Sequence, residues 1–340
     1  MAPMDEVYVL FTLPLEDSLV ERIKDVSPRL QVSVHPTSSG ENIPEDLLAD
    51  VEVLYTLHAL PEPEAVPELR WIQFHSAGID HVIDHPLLQT DVQVTTLSGA
   101  AAPQMAEFAV MSMLALGHKL LDIISDPPEE RWGEKRYQRY EPLELRGSTV
   151  GIIGYGSVGR EIARLCYAFG ADVLASKRDL KNLQDTGYCL EGLGDPAADV
   201  PKRLYPPEAL RSMAALCDFL VVTVPLTAAT RGLIGTEIFD AMKPSTFLID
   251  VSRGGVVDHG ALLEALKTEK LAGAALDVYP VEPLPDSSPL WEMPNVILSP
   301  HIAGSSAVYD ERAMDLFAEN LFRYLSDRPL LNLYRSDLTY

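Results

Sequence analysis

Basic residues are scarce: 27 Lys and Arg stand against 50 Asp and Glu in 340 residues, for a formal net charge of -23 at pH 7. A nucleic-acid backbone is held by clustered Lys and Arg, so that class of partner is disfavoured, and a small anionic ligand would need a local cationic pocket. Cysteine is scarcer still. Cys166, Cys189 and Cys217 form no CxxC pair, which indicates neither a disulfide framework nor a zinc site and fits a reducing compartment. Long hydrophobic runs are missing as well. The apolar stretch Phe108–Gly117 is about half the length needed to span a bilayer. Asp5 and Glu6 stand where a secretory signal would carry positive charge. The expectation is a cytoplasmic protein that engages no membrane and no nucleic acid.

What is present is apolar material, 47% of the residues, enough for two domain-sized cores. Short β-branched runs at Val7–Thr12, Leu30–Val34, Val51–Thr56, Trp71–Phe74 and Val92–Thr95 alternate with longer helix-compatible stretches. This βαβ rhythm predicts a parallel, doubly wound sheet. A long helical pattern over Ala101–Ser125 ends at Asp126-Pro127-Pro128. A second βα series follows, with strands expected at Thr149–Ile153, Asp172–Ser176, Phe219–Val224, Thr246–Val251, Gly273–Val278 and Val296–Ser299. Six strands is the number of a complete dinucleotide-binding sheet. The last pattern, Ser305–Leu325, is an amphipathic helix with Met314, Phe317, Leu321 and Leu325 on one face. Asp179–Pro207, rich in Gly, Pro and Asp, reads as a long connection: a plain surface loop, or a flap or subunit contact near a cofactor.

Gly154-Tyr155-Gly156-Ser157-Val158-Gly159 fits G-x-G-x-x-G directly after an apolar strand and at the start of a helix. The first glycine permits the tight turn, the second lets the backbone approach a pyrophosphate, and the third lets helix and strand pack closely. The next strand ends in Ser176-Lys177-Arg178, where an NAD-preferring site would carry an acidic residue for the ribose 2′-hydroxyl. A cationic pair there would accept a 2′-phosphate, so NADP(H) is the expected cofactor, with NAD(H) possible.

Further motifs are Val224-Pro225-Leu226-Thr227, Asp250-Val251-Ser252-Arg253-Gly254-Gly255, Ala275-Leu276-Asp277-Val278, Val281-Glu282-Pro283 and Ser299-Pro300-His301-Ile302-Ala303-Gly304. From about Trp71 to Tyr309 the chain closely resembles the D-isomer-specific 2-hydroxyacid dehydrogenase family. The resemblance implies two doubly wound α/β domains with a hinge cleft: a flavodoxin-like substrate domain over 1–117 and 305–340, and a Rossmann nucleotide domain over 118–304. It also implies that Arg253 is the catalytic arginine, Glu282 its carboxylate partner and His301 the acid/base. A guanidinium fork suits a carboxylate beside a ketone, and a donor titrating near neutrality suits the oxygen on which charge builds. His75-Ser76-Ala77-Gly78-Ile79-Asp80 looks like the loop whose amides, at Ser76, Ala77 and Gly78, receive the substrate carboxylate.

Cofactor contacts are implied for Gly154, Tyr155, Gly156, Ser157, Val158, Ser176, Lys177, Arg178, Val224, Pro225, Ser252, Asp277, His301 and Gly304, with Asp277 accepting from the nicotinamide carboxamide. The chain departs from the family pattern at Lys177, where an acidic residue is common, at Asp250, where asparagine is common, and in the length of the 179–207 connection. The expected activity is reduction of a small 2-oxo acid such as glyoxylate, hydroxypyruvate or a bulkier analogue, by a homodimer and without a metal. Co-repressors of this fold keep the same Arg, Glu and His, so a dinucleotide-sensing binding protein is the alternative. The absence of any low-complexity segment argues against it.

Overall fold

A computed structural model describes residues 6–334 and divides into two compact units, 1–101 with 306–340 and 102–305. In the first unit, β1 (Val7–Phe11), β2 (Leu30–Val34), β3 (Val53–Thr56), β4 (Trp71–Phe74) and β5 (Gln93–Thr95) form one sheet in the order β2-β1-β3-β4-β5. All its pairings are parallel. Alternation sends Leu10, Leu54, Ile72 and Val94 to one apolar layer. On the other face, Phe317 of the helix Tyr309–Leu325 packs against Phe11, Tyr55 and Trp71, with ring centroids 4.8–5.4 Å apart. Buried polar groups are paired, as burial requires: Trp71 Nε1 donates to Thr95 Oγ1, which donates to Gln73 Oε1, both at 2.7 Å.

In the second unit, β6 (Thr149–Ile153), β7 (Asp172–Ser176), β8 (Arg203–Tyr205), β9 (Phe219–Val222), β10 (Phe247–Asp250), β11 (Gly273–Leu276) and β12 (Val296–Leu298) form a parallel sheet in the order β12-β11-β10-β9-β6-β7-β8. Strand direction of travel reverses between β6 and β9, the switch point where open α/β sheets bind ligands. Val150, Ile152, Val173, Ala175, Phe219, Val221 and Ile249 share one layer with Ile162, Ala163 and Cys166 of the helix Ser157–Phe169. Residues one step along, Ile153, Leu174, Leu220, Val222 and Leu248, share the opposite layer with Leu262, Ala265 and Leu266.

Four expectations are corrected. The sheet has seven strands among the described residues, because β8 lies inside the presumed 179–207 connection. Its three residues are too few to show a period and sit at an edge paired only to β7. The helix expected over 101–125 breaks: it runs Ala102–Gly117, Lys119 takes a left-handed φ of 54°, and a second helix covers Leu120–Ser125. Gly117 is where the returning chain meets the helix, since Leu143 N–H donates to its carbonyl at 2.9 Å. The helix 102–117 also falls in the second unit, not with residues 1–101, because Ala106, Ala109, Val110 and Met113 fill the layer of the Ser157–Phe169 helix. The last helix starts at Tyr309, not Ser305.

Candidate active site

Every chemistry-bearing motif of the second unit leaves the C-terminal end of a strand, and in a parallel sheet those ends share one edge. The turn 154–159 follows β6, Ser176-Lys177-Arg178 ends β7, Val224 and Pro225 follow β9, Ser252 and Arg253 follow β10, Asp277 and Glu282 follow β11, and His301 and Gly304 follow β12. Arg253, Glu282 and His301 thus come from three adjacent strands.

The turn after β6 has the backbone its glycines permit. Gly154 sits at φ +103°, and its amide and that of Tyr155 donate to the Ser176 carbonyl at 3.2 and 3.1 Å. A side chain at Gly159 would lie 2.1 Å from the Gly154 carbonyl oxygen, whereas one at Gly156 would meet open space. Nothing in the protein therefore demands glycine at 156, and the space beside it is open to a ligand. Gly156 also precedes the helix Ser157–Phe169 without a capping side chain, leaving first-turn amides for an anion. A dinucleotide pyrophosphate fits these residues.

His301 Nδ1 lies 2.8 Å from Glu282 Oε2, and Glu282 Oε1 accepts from the Tyr279 amide at 2.9 Å. Burial alone would push the Glu282 carboxyl up, but His301, the Tyr279 amide and the charge of Arg253 together bring it below the ordinary range. His301 adopts a left-handed φ of 54°, a conformation that non-glycine residues keep only where the surroundings enforce it. Asp277 enforces it. Its Oδ1 accepts from Ser299 Oγ at 2.6 Å and Ile302 N–H at 2.8 Å, and its Oδ2 from Ala303 N–H at 3.0 Å. Gln104, which sequence reasoning missed, donates to the Gly304 carbonyl at 2.8 Å. A carboxylate offers about four acceptor positions, so Oδ2 of Asp277 keeps one for a further donor.

Lys177 is half-buried and Arg178 exposed. Burial first, then the nearby Arg160 guanidinium, lower the Lys177 amine from its ordinary range, against the pull of Asp185 and Asp179. The connection after them is an ordered insertion tied to the glycine-rich helix. Tyr155 Oη donates to Asp195 Oδ2 at 2.5 Å, and Arg160, 1% exposed, donates to the carbonyls of Asp195 and Leu183. Glu161 accepts from the Gly194 amide at 2.7 Å. A buried arginine and glutamate in a helix that otherwise reads as amphipathic was the signal available in sequence.

Asp250 is fully buried at the end of β10. Its Oδ1 accepts from the Ser252 amide and hydroxyl at 3.0 and 2.5 Å, while Oδ2 has no partner. Burial drives its pKa up to about 7, aided by Asp277 and resisted by Ser252. An unfolded aspartate ionises near pH 4, so between about pH 4 and 7 the folded state holds the extra proton and stability falls as pH rises. Asp250→Asn should therefore be more stable than the unmodified protein by roughly 1–4 kcal/mol at pH 8, with the gap closing toward pH 4. Thermal unfolding at several pH values checks this; equal stability at pH 8 contradicts it.

In the first unit, the loop after β4 presents a row of donors. Ser76 Oγ donates to the Gly78 carbonyl at 2.7 Å and the Leu97 amide donates to the Ser76 carbonyl at 2.8 Å. Among the described residues, the amides of Ser76, Ala77 and Gly78 donate to no backbone carbonyl.

The second unit is a Rossmann-type dinucleotide-binding domain. Residues 110–303 match the D-isomer specific 2-hydroxyacid dehydrogenase, NAD binding domain, and the chain belongs to that oxidoreductase family. It is similar to D-3-phosphoglycerate dehydrogenase of Archaeoglobus fulgidus, 32% identical over 79% of this chain, although the match spans only 48% of that protein. It is similar to a glyoxylate reductase of Thermofilum pendens, 32% identical over 77% of this chain and 74% of that one. Among solved structures it resembles the NADPH-dependent glyoxylate/hydroxypyruvate reductase of Sinorhizobium meliloti in complex with NADP and sulfate, at 26% identity and TM-score 0.79, over 98% of this chain and 100% of that one.

Proposed function

We propose that the protein reduces a small 2-oxo acid, of the glyoxylate or hydroxypyruvate kind or a bulkier analogue, to the D-2-hydroxy acid, with NADPH the preferred donor and NADH a poorer one. The observation that carries this reading is the Glu282–His301 contact of 2.8 Å, with Arg253 acting on the same carboxylate, on the sheet whose first turn is G-x-G-x-x-G. Relatives named glyoxylate and hydroxypyruvate reductases support it.

A nicotinamide dinucleotide, when bound, supplies the hydride. Gly154, Tyr155, Gly156, Ser157 and Val158 hold its pyrophosphate, Ser176, Lys177 and Arg178 its 2′-phosphate, and Val224, Pro225, Ser252 and Gly304 line its path. The remaining acceptor position of Asp277 would hold the carboxamide. Arg253 grips the substrate carboxylate and ketone oxygen with one planar fork, and the amides of Ser76, Ala77 and Gly78 receive the carboxylate. His301, with Nδ1 held by Glu282, delivers the proton to the ketone oxygen from Nε2. The working form is a cytoplasmic homodimer, and no metal takes part. Among the described residues no helix is long and apolar enough to cross a membrane.

Steady-state oxidation of NADPH against a panel of 2-oxo acids tests the reading; binding of NADPH without turnover of any of them would favour a sensor instead. Arg253→Lys keeps the charge and loses the fork, so KM should rise and kcat fall together, by about tenfold or more in each. If neither changes, another group holds the substrate.

A further inference from the structure

Resting on the reading that the 76–78 amides receive the substrate carboxylate, we infer that His75 is the positioning residue of that loop, clamped between Tyr55 and Asp310. The His75 ring makes polar contacts with two elements at once. Nδ1 lies 2.6 Å from the Tyr55 hydroxyl on β3, and Nε2 lies 3.3 Å from Asp310 Oδ1 in the first turn of the C-terminal helix. Its own amide donates to the Thr56 carbonyl at 2.8 Å, and its carbonyl accepts from the Tyr309 hydroxyl at 3.4 Å. The Tyr309 ring meets it edge-on at 5.3 Å. The residue immediately before the three donor amides is thereby held at its ring, its amide and its carbonyl.

Chemistry assigns the ring nitrogens. Tyr55 is fully buried against Phe11 and Phe317, and a buried phenol needs an acceptor. Nδ1 is that acceptor, so the ring proton sits on Nε2 and points at the Asp310 carboxylate. Burial lowers the imidazole from its ordinary range against the opposing charge of Asp310, which keeps the ring neutral and the donor order fixed at neutral pH. Asp310 also lies in the first turn of its helix, where the helix dipole favours a carboxylate. The clamp thus ties the pose of the amides to β3 on one side and to the helix 309–325 on the other.

Binding energy gathered by preorganised donors is lost when their backbone is free to rotate. Tyr55→Phe and Asp310→Ala each delete one end of the clamp, the first by removing the phenol hydroxyl and the second by removing the acceptor of Nε2–H. Each is expected to raise KM for the best oxo acid about 3- to 30-fold, with kcat and KM for NADPH within about twofold. Affinity for oxamate in the presence of NADPH should fall by the same factor. Because both act through one imidazole, the double variant should lose much less than the product of the single losses. Melting temperatures of the holoenzyme confirm that each variant is folded. The control is Ala77→Val, which crowds the exposed loop without touching the clamp. If Ala77→Val raises the oxo-acid KM while Tyr55→Phe and Asp310→Ala leave it unchanged, the role of His75 is overturned and the loop reading stands. If Ala77→Val also leaves KM and oxamate affinity unchanged, the loop reading falls and the inference with it.

Discussion

His301→Ala is expected to lower kcat for oxo-acid reduction roughly 10²- to 10⁴-fold, with KM for NADPH changed by less than about twofold. Hydride arrival at the carbonyl carbon leaves charge on the oxygen, and a proton delivered in the same step removes it. On the proposed reading the side chain meets that task at some conformational cost: its left-handed φ of 54° is held by Asp277 gripping the Ile302 and Ala303 amides and by Gln104 on the Gly304 carbonyl. Glu282 fixes the ring through Nδ1, and on the proposed reading Nε2 faces the substrate. Glu282→Gln keeps the size and an acceptor while deleting the charge, so its kcat should fall less than that of His301→Ala. Single-turnover measurement with excess enzyme separates the chemical step from product release. Retention of more than about half of wild-type kcat by His301→Ala would show that another acid serves.

NADPH should be preferred over NADH by roughly 10- to 1000-fold in kcat/KM, on the basis of two charge-assisted contacts of about 1.5–3 kcal/mol each, discounted for exposure. Lys177 carries the stronger half of this expectation. Its amine is half-buried beside the Arg160 guanidinium, and both effects lower it from its ordinary range. A cation penalised in this way gains more from an incoming phosphate than a fully hydrated one. The overall charge of -23 opposes both cofactors alike and is screened over about 10 Å at ordinary salt, so it cannot reverse a local contact. Replacing Lys177 and Arg178 together with alanine should raise KM for NADPH and leave KM for NADH little changed. Equal or better kcat/KM with NADH in the unmodified enzyme would sink the assignment while leaving the 2-hydroxyacid chemistry intact.

Strand positions and the Gly154–Gly159 turn were legible because each is written in a short window: buried parallel strands read as apolar runs, and the turn needs glycine at stated offsets. The approach of Glu282 to His301 was legible only through motif resemblance, since 19 residues separate them. What escaped depends on partners far along the chain. β8 exists because β7 offers an open edge to Arg203–Tyr205, not because three residues prefer to be extended. The helix 102–117 joined the second unit because its alanines fit the layer beside the Ser157–Phe169 helix, a matter of shape that periodicity does not record. Asp250 was visible as a departure from asparagine, but its unpartnered oxygen was not.

The insertion after β7 is not spare length. Tyr155 sends its amide to Ser176 and its hydroxyl to Asp195, while Arg160 donates to the Leu183 and Asp195 carbonyls beside Asp185, and Glu161 accepts from the Gly194 amide. Removing residues 183–195 would take away the carbonyl and carboxylate partners of Arg160 and the acceptor of the Tyr155 hydroxyl, which costs roughly 3–5 kcal/mol for a guanidinium that stays buried and about 1–3 kcal/mol for a phenol that does. A shortened chain would call for apolar residues at 155 and 160 at the same time, whereas Glu161 would keep its pair with Arg164 at 2.8 and 2.6 Å. Loop and helix are heritable only as a set.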